Sequence, residues 1–232
     1  MEHTTPDPST MAPMSQSELN AIAKKHSMYL QGEIGGARAV LQYRNLSGLD
    51  FTEKDFSQAD FTASLFRESN LESANFKSAN FFACDLRNAN LRYANLCRVD
   101  FRGAYVSGAD LTGADMTDAD MREGKVMRRG SDGTLEDQQR SGGGTGSKTV
   151  FTGAKLKDTN MAGVQANQAD FSDADMTGVV LKDTDLAGAS FIGANLAEAD
   201  MTGADLTNTN MRDSVMTGAI MGDVEDQGMI SF

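Results

Sequence analysis

From Leu46 to Met121 every fifth residue is Leu, Phe, Met or Val, and the same frame resumes at Phe151 and holds to Met221. Of these 31 centres only Ala166 is not a large apolar residue. Two places before most centres stands a small residue, most often Ala (Ala59, Ala74, Ala79, Ala89, Ala94, Ala109, Ala169, Ala189, Ala204). A period of five belongs neither to a helix nor to simple strand alternation. Positions two apart on an extended segment face the same side, so the centre and the small residue both point inward. The other three positions, rich in Asp, Asn, Thr, Arg and Gly, then face water. Glycines following the centre (Gly48, Gly103, Gly113, Gly153, Gly203) suit a corner that needs φ > 0. Short repeats of this kind specify a solenoid in which each unit touches mainly its neighbours.

The pattern divides the chain. Residues 1–14 hold all three prolines and little to bury, which predicts a disordered tail. Residues 15–36 read as a capping helix and turn. Ser15 and Glu18 have capping-box spacing, Leu19, Ile22, Ala23, His26, Tyr29 and Leu30 recur at helical intervals, and Gly32, Gly35 and Gly36 end the run. Its apolar stripe is narrow and suits a lid over the first coil. Repeats fill 37–123 and 149–223. Between them, at 124–148, the frame positions are Val126, Ser131, Glu136, Ser141 and Gly146; the pattern is lost, and Gly130, Gly133, Gly142, Gly143, Gly144 and Gly146 predict a flexible loop. Residues 224–232 end in Met229-Ile230-Ser231-Phe232 and read as a C-terminal cap or dimerisation tail.

The clearest units, Ala109-Asp110-Leu111-Thr112-Gly113 and Ala114-Asp115-Met116-Thr117-Asp118, resemble the pentapeptide-repeat proteins, whose unit is A-(D/N)-L-x-x. That resemblance implies an all-β chain: a right-handed quadrilateral parallel β-helix with four units per coil. At about 4.8 Å between coils, the repeats make a rod roughly 37 Å long. Columns of stacked centres should dominate its stability, at about 1.5–3 kcal/mol per buried side chain. Phe is concentrated early and Met late. Because Met packs adaptably, the N-terminal half is expected to be the stiffer.

Candidate chemistry is sparse. The two histidines are His3 and His26, one in the tail and one on the lid, so no metal site of the usual kind is expected. Most aspartates precede a centre and are read as solvated repeat positions. Gly142 to Thr149 (GGGTGSKT) misses the phosphate-loop spacing because Ser147 separates Gly146 from Lys148. Neither catalysis nor a cofactor is expected. Cys84 and Cys97 should face inward and outward, as separate reduced thiols. No apolar run of membrane length and no secretory leader is recognisable, which gives a cytoplasmic, bacterial-style protein as the expectation.

Charge points to partners. The net charge is −12, which opposes direct contact with nucleic acid and suits another protein. Residues 151–223 carry net −7, residues 41–123 net −4, and the 124–148 insert net +2. Among pentapeptide-repeat proteins, the Qnr-type group are rods that imitate duplex DNA and bind DNA gyrase or topoisomerase IV. The resemblance therefore implies a DNA-mimicking gyrase modulator as the alternative to a general interaction scaffold. DNA carries about one charge per 1.7 Å, so the second run is a passable mimic and the first a poor one; an acidic excess also suffices to keep a rod soluble. Folded at twenty residues per coil, the first run brings Arg67 and Arg87 together on one face. Phe82, Arg102 and Arg122 stack on the adjoining face, and Leu65 and Tyr105 take outward positions. These residues, with Arg128 and Arg129 of the insert, are the candidate partner-binding set, a composition favoured at interfaces. The bland alternative is that the arginines pair with neighbours such as Glu68 and Asp85. A homodimer through the C-terminal end is the second partner expected.

Overall fold

The computed structural model describes residues 12–124, 127–129, 135–137 and 148–222. Parallel bridges join each residue that precedes a centre to the residue twenty positions on. Val40 pairs with Asp60, Asn45 with Leu65, Asp50 with Asn70 and Asp55 with Asn75, and the register continues without a slip to the bridge between Asp100 and Asp120. Twenty residues are four units, so the centres line up in four inward columns. Leu41, inside the repeat run expected from residue 37, is already a buried centre.

Each side of a coil contributes a single bridging residue and then turns. The carbonyl of a centre accepts from the amide three residues on, as Phe56 does from Ala59 and Phe81 from Cys84, both at 3.0 Å. The second central residue of these turns has positive φ, not only at Gly48 or Gly113 but also at Tyr43, Glu53, Asn88, Tyr93 and Asp158. Left-handed backbone costs a residue with a side chain about 1–2 kcal/mol, and the hydrogen-bonded coils on either side over-determine it.

The aspartates are more than solvated. Asp110 Oδ1 accepts from the Thr112 amide (3.1 Å) and hydroxyl (2.6 Å), and Asp115 does the same with Thr117. The carboxylate therefore closes its own turn. Inward small positions that are polar donate to the preceding coil: Ser64 to the Leu41 carbonyl (2.6 Å), Ser69 to Leu46 (2.9 Å) and the Cys84 thiol to Phe61 (3.0 Å). Cys97 faces outward, where burial and a hydrogen bond to Asp115 push its thiol up to about 11.

Aromatic stacking is not confined to the first run. Phe61, Phe81 and Phe101 stack in one column with ring centres 5.0 and 5.5 Å apart. Phe151, Phe171 and Phe191 form a second column at 5.2 and 5.3 Å. Both runs of repeats thus carry stacked rings. Ala166 is fully buried and fills its inward position with the smallest centre.

Helix α1 (Gln16–Leu30) covers the first coil and is started by the full capping box of Ser15 and Glu18. It satisfies the open backbone edge with side chains. Gln16 exchanges two hydrogen bonds with the Asp50 backbone (2.8 and 2.9 Å), and His26 bonds the Ser57 carbonyl (2.9 Å). The Met14 amide donates to Asn45 (2.9 Å), with Met14 packed on the core. The tail expected over 1–14 therefore ends sooner, because its last residues are tied to the coil; 1–11 lie outside the described residues. Gly36 is required by close approach, since a Cβ there would strike the Tyr29 backbone.

Across the insert, Tyr105 bridges to Val150, so the second run continues the first in frame. The segment expected to be an irregular loop contains two short strands, β1 (Met127–Arg129) and β2 (Leu135–Asp137), paired antiparallel. Nothing in the five-residue pattern signals them. The C-terminal segment 224–232 lies outside the described residues.

Candidate interaction surface at the insert corner

The insert springs from the corner between two faces of the solenoid. Its exit and return are fixed by small residues. Gly124 sits against the Arg102 backbone and the Phe82 ring, and a Cβ on Gly103 would collide with the Gly124 carbonyl. Thr149, fully buried in an inward position, accepts from the Gly103 amide (3.2 Å) and donates its hydroxyl toward the Phe101 carbonyl (3.1 Å). The turn at Glu123 lacks the positive φ that other corners share. This is where the chain leaves the frame.

On the face before that corner, Phe82, Arg102 and Arg122 follow one another up the rod. Arg102 lies over the Phe82 ring, 5.4 Å from its centre, and grips Asp100 with two hydrogen bonds at 3.0 and 2.7 Å. Arg122 grips Asp120 in the same way at 3.0 and 2.8 Å. Arg102 also lies 3.6 Å from Asp120, which links the pairs into an alternating ladder. On the face after the corner, Asp85 bridges Leu65 on one side and Tyr105 on the other. Asp85 is almost fully buried and takes Arg67 (2.7 Å) and Arg87 (2.9 and 2.6 Å).

The structure therefore assembles Leu65, Arg67, Arg87 and Tyr105 on one face and Phe82, Arg102 and Arg122 on the next. It also gives the arginines internal partners, Asp85 rather than Glu68 on the first of these faces. Their guanidinium groups are fixed forks, on side chains still 31–48 % exposed. Arg128 and Arg129 lie in β1, in register with Glu136 and Leu135 of β2.

Burial acts to raise the Asp85 carboxyl, but hydrogen bonds from Arg87 and Arg67 outweigh it and hold the group below the ordinary carboxylate range. A depressed folded value means that its stabilisation is complete above the unfolded value of about 3.9 and is lost as pH falls through the folded one. Asp85→Asn should cost about 1.5–3 kcal/mol at pH 7, the worth of hydrogen bonds to a charged group. Urea unfolding at pH 7 and pH 3 checks this. The gap between the two proteins should narrow at the lower pH, and an equal gap at both would show that Asp85 is not the titrating group.

A family model for pentapeptide repeats matches eight copies, over residues 55–81, 79–118, 147–183 and 184–223. The chain belongs to the pentapeptide-repeat family. No curated protein matches it significantly. Among solved structures it is similar to HetL, a pentapeptide repeat protein involved in heterocyst differentiation regulation from the cyanobacterium Nostoc sp. strain PCC 7120. Identity there is 22 %, with 88 % of this chain and 94 % of that one covered and a TM-score of 0.40. A trypsin-treated form of QnrB1, a plasmid-mediated fluoroquinolone resistance protein, is 14 % identical, with 83 % and 86 % covered and a TM-score of 0.47. Likeness at this level says nothing of partner or substrate.

Sequence reasoning about this pentapeptide-repeat protein missed one exposed aromatic. Tyr93 is 55 % exposed at a corner, with the Arg92 guanidinium 5.3 Å from its ring centre and bonded to its hydroxyl (3.2 Å). Its ring occupies the space that a Cβ at Gly113 would need, one coil on. The available signal was a ring at a corner position followed twenty residues later by glycine. Among the described residues no group of His, Cys, Asp and Glu could hold a metal ion.

Proposed function

We propose that this right-handed, four-sided solenoid is a non-catalytic scaffold that binds another protein at the corner from which the insert projects. The observation that carries the reading is spatial coincidence. The one break in the repeat, anchored by Gly124 and Thr149, adjoins the faces that bear Phe82–Arg102–Arg122 and Leu65–Arg67–Arg87–Tyr105. Forks held by Asp85, Asp100 and Asp120 are already ordered, so binding does not have to freeze long side chains. Rings and arginines at the centre of an interface contribute most of its energy.

The test is capture from the native cell with tagged protein, wild type against a Phe82→Ala/Arg102→Ala double variant. A specific partner should be retained by the wild type and lost at least tenfold by the variant. Equal capture by both would move the interface elsewhere. A differently tagged copy of the same chain, used as bait, tests the homodimer reading, which Val215 and Ile220 support by being about half exposed near the C-terminal end.

The alternative is a DNA-mimicking modulator of gyrase or topoisomerase IV. Its support is the set of exposed corner carboxylates Asp118, Asp158, Asp173, Asp183 and Glu198, each followed one coil later by glycine. Carboxylates on alternate coils stand roughly 9.6 Å apart at the strand spacing, against about 1.7 Å per charge in DNA. They are also spread over three corners, which is why the scaffold reading comes first. No change in gyrase supercoiling, with or without a quinolone, at tens of micromolar protein would remove this alternative.

A further inference from the structure

His26 is fully buried between the lid and the first coil, stacked on Tyr29 and Phe56 with ring centres 5.8 and 5.6 Å away. Both ring nitrogens are engaged. The Ala39 amide donates to Nδ1 at 3.0 Å, so the neutral ring carries its proton on Nε2 and donates to the Ser57 carbonyl at 2.9 Å. One imidazole thus joins α1, the connecting segment and the first coil. A protonated ring has donors on both nitrogens and no acceptor, so it cannot keep Ala39. It would place a charge against a buried N–H, among aromatic rings.

We propose that His26 is a pH latch: protonation consumes the Nδ1 lone pair that holds Ala39, frees α1 from the first coil and opens the N-terminal end of the core. The surroundings oppose protonation on balance. Desolvation is the largest influence and lowers the ring, and Arg38 acts with it. The Ser57 carbonyl and Asp55 act the other way without compensating. Tyr29 is the titratable group that α1 itself places on the ring. With the docked value depressed, the latch is fully closed above the ordinary histidine value of about 6.5. It weakens as pH falls through 6.5, and the weakening ends only below the docked value. Opening would uncover the backbone groups of Asn45, Asp50 and Ser57 that Met14, Gln16 and His26 now satisfy. Coils further along touch only their neighbours and stay closed.

The test is amide hydrogen exchange on the full chain between pH 7.5 and 5.0, corrected for intrinsic exchange. The expected result is that opening of α1 rises by up to tenfold per pH unit below about 6.5, while the coils from Leu86 to Leu111 keep their protection. His26→Asn retains an acceptor near the Nδ1 position without a titrating ring, and its α1 opening should be flat with pH. An unchanging α1 in the wild type, or the same slope in His26→Asn, overturns the latch. If the Asn variant loosens α1 at every pH, NMR titration of His26 in the wild type decides alone. A value below 6.5 supports the latch, and one at or above it refutes it.

Discussion

Phe61→Ala should destabilise the protein by about 3–5 kcal/mol, the range for emptying a well-packed aromatic site. Phe61 is fully buried, and its ring centre lies within 5.0–6.3 Å of the rings of Phe51, Phe56, Phe66, Phe76 and Phe81. All four inward columns of the first coils therefore lose a contact at once. Backbone collapse is restrained, because the Phe61 carbonyl accepts from the Ser64 amide and the Cys84 thiol, both at 3.0 Å. Met216→Ala, on the last coil and only partly buried, should cost less than half as much. Urea denaturation with a common slope compares them. A loss below about 1.5 kcal/mol for Phe61→Ala would mean that neighbouring rings refill the space.

Deleting residues 124–148 should leave the solenoid folded and abolish capture of the partner. The bridge from Tyr105 to Val150 shows that removing this whole segment restores the twenty-residue register. Glu123 then takes the corner and Thr149 the inward small position that it already fills. Closing the loop costs roughly 3 kcal/mol by the logarithmic rule, so the deletion should hold or raise the melting temperature. Deleting 124–147 instead leaves one residue too many in the coil and should lower it by several degrees. Circular dichroism melting distinguishes the two deletions. A folded 124–148 deletion that still captures the partner would reduce the insert to a spacer.

Much of this was legible because a period of five allows few solutions. Phe56, Phe81 and Leu111 had to point inward, and Ala59 and Ala109 with them, since large and small residues two apart share a side. The capping box of Ser15 and Glu18 was readable for the same local reason. The faces carrying Arg67 with Arg87 and Phe82 with Arg102 followed once twenty residues per coil was assumed.

Other features depend on groups twenty or more residues apart. Asp85 occupies the same repeat position as Asp110, and only the coils above and below turn it into a buried carboxylate held by Arg67 and Arg87. His26 reads as one residue in a weak apolar stripe until Ala39 and Ser57 are brought to its two nitrogens. The strands β1 and β2 sit where the repeat falls silent. Tyr93 and Gly113 look unrelated until stacking puts the ring over the glycine.

The solenoid, its inward columns and the place where the insert interrupts it follow from residue order, because periodicity is a local property that burial enforces unit by unit. Tertiary structure alone decided which carboxylates are clamped, how the lid is latched and that the insert leaves beside the arginine faces. Those depend on stacking between coils, where the repeat fixes which positions meet but not what the residues there do to each other.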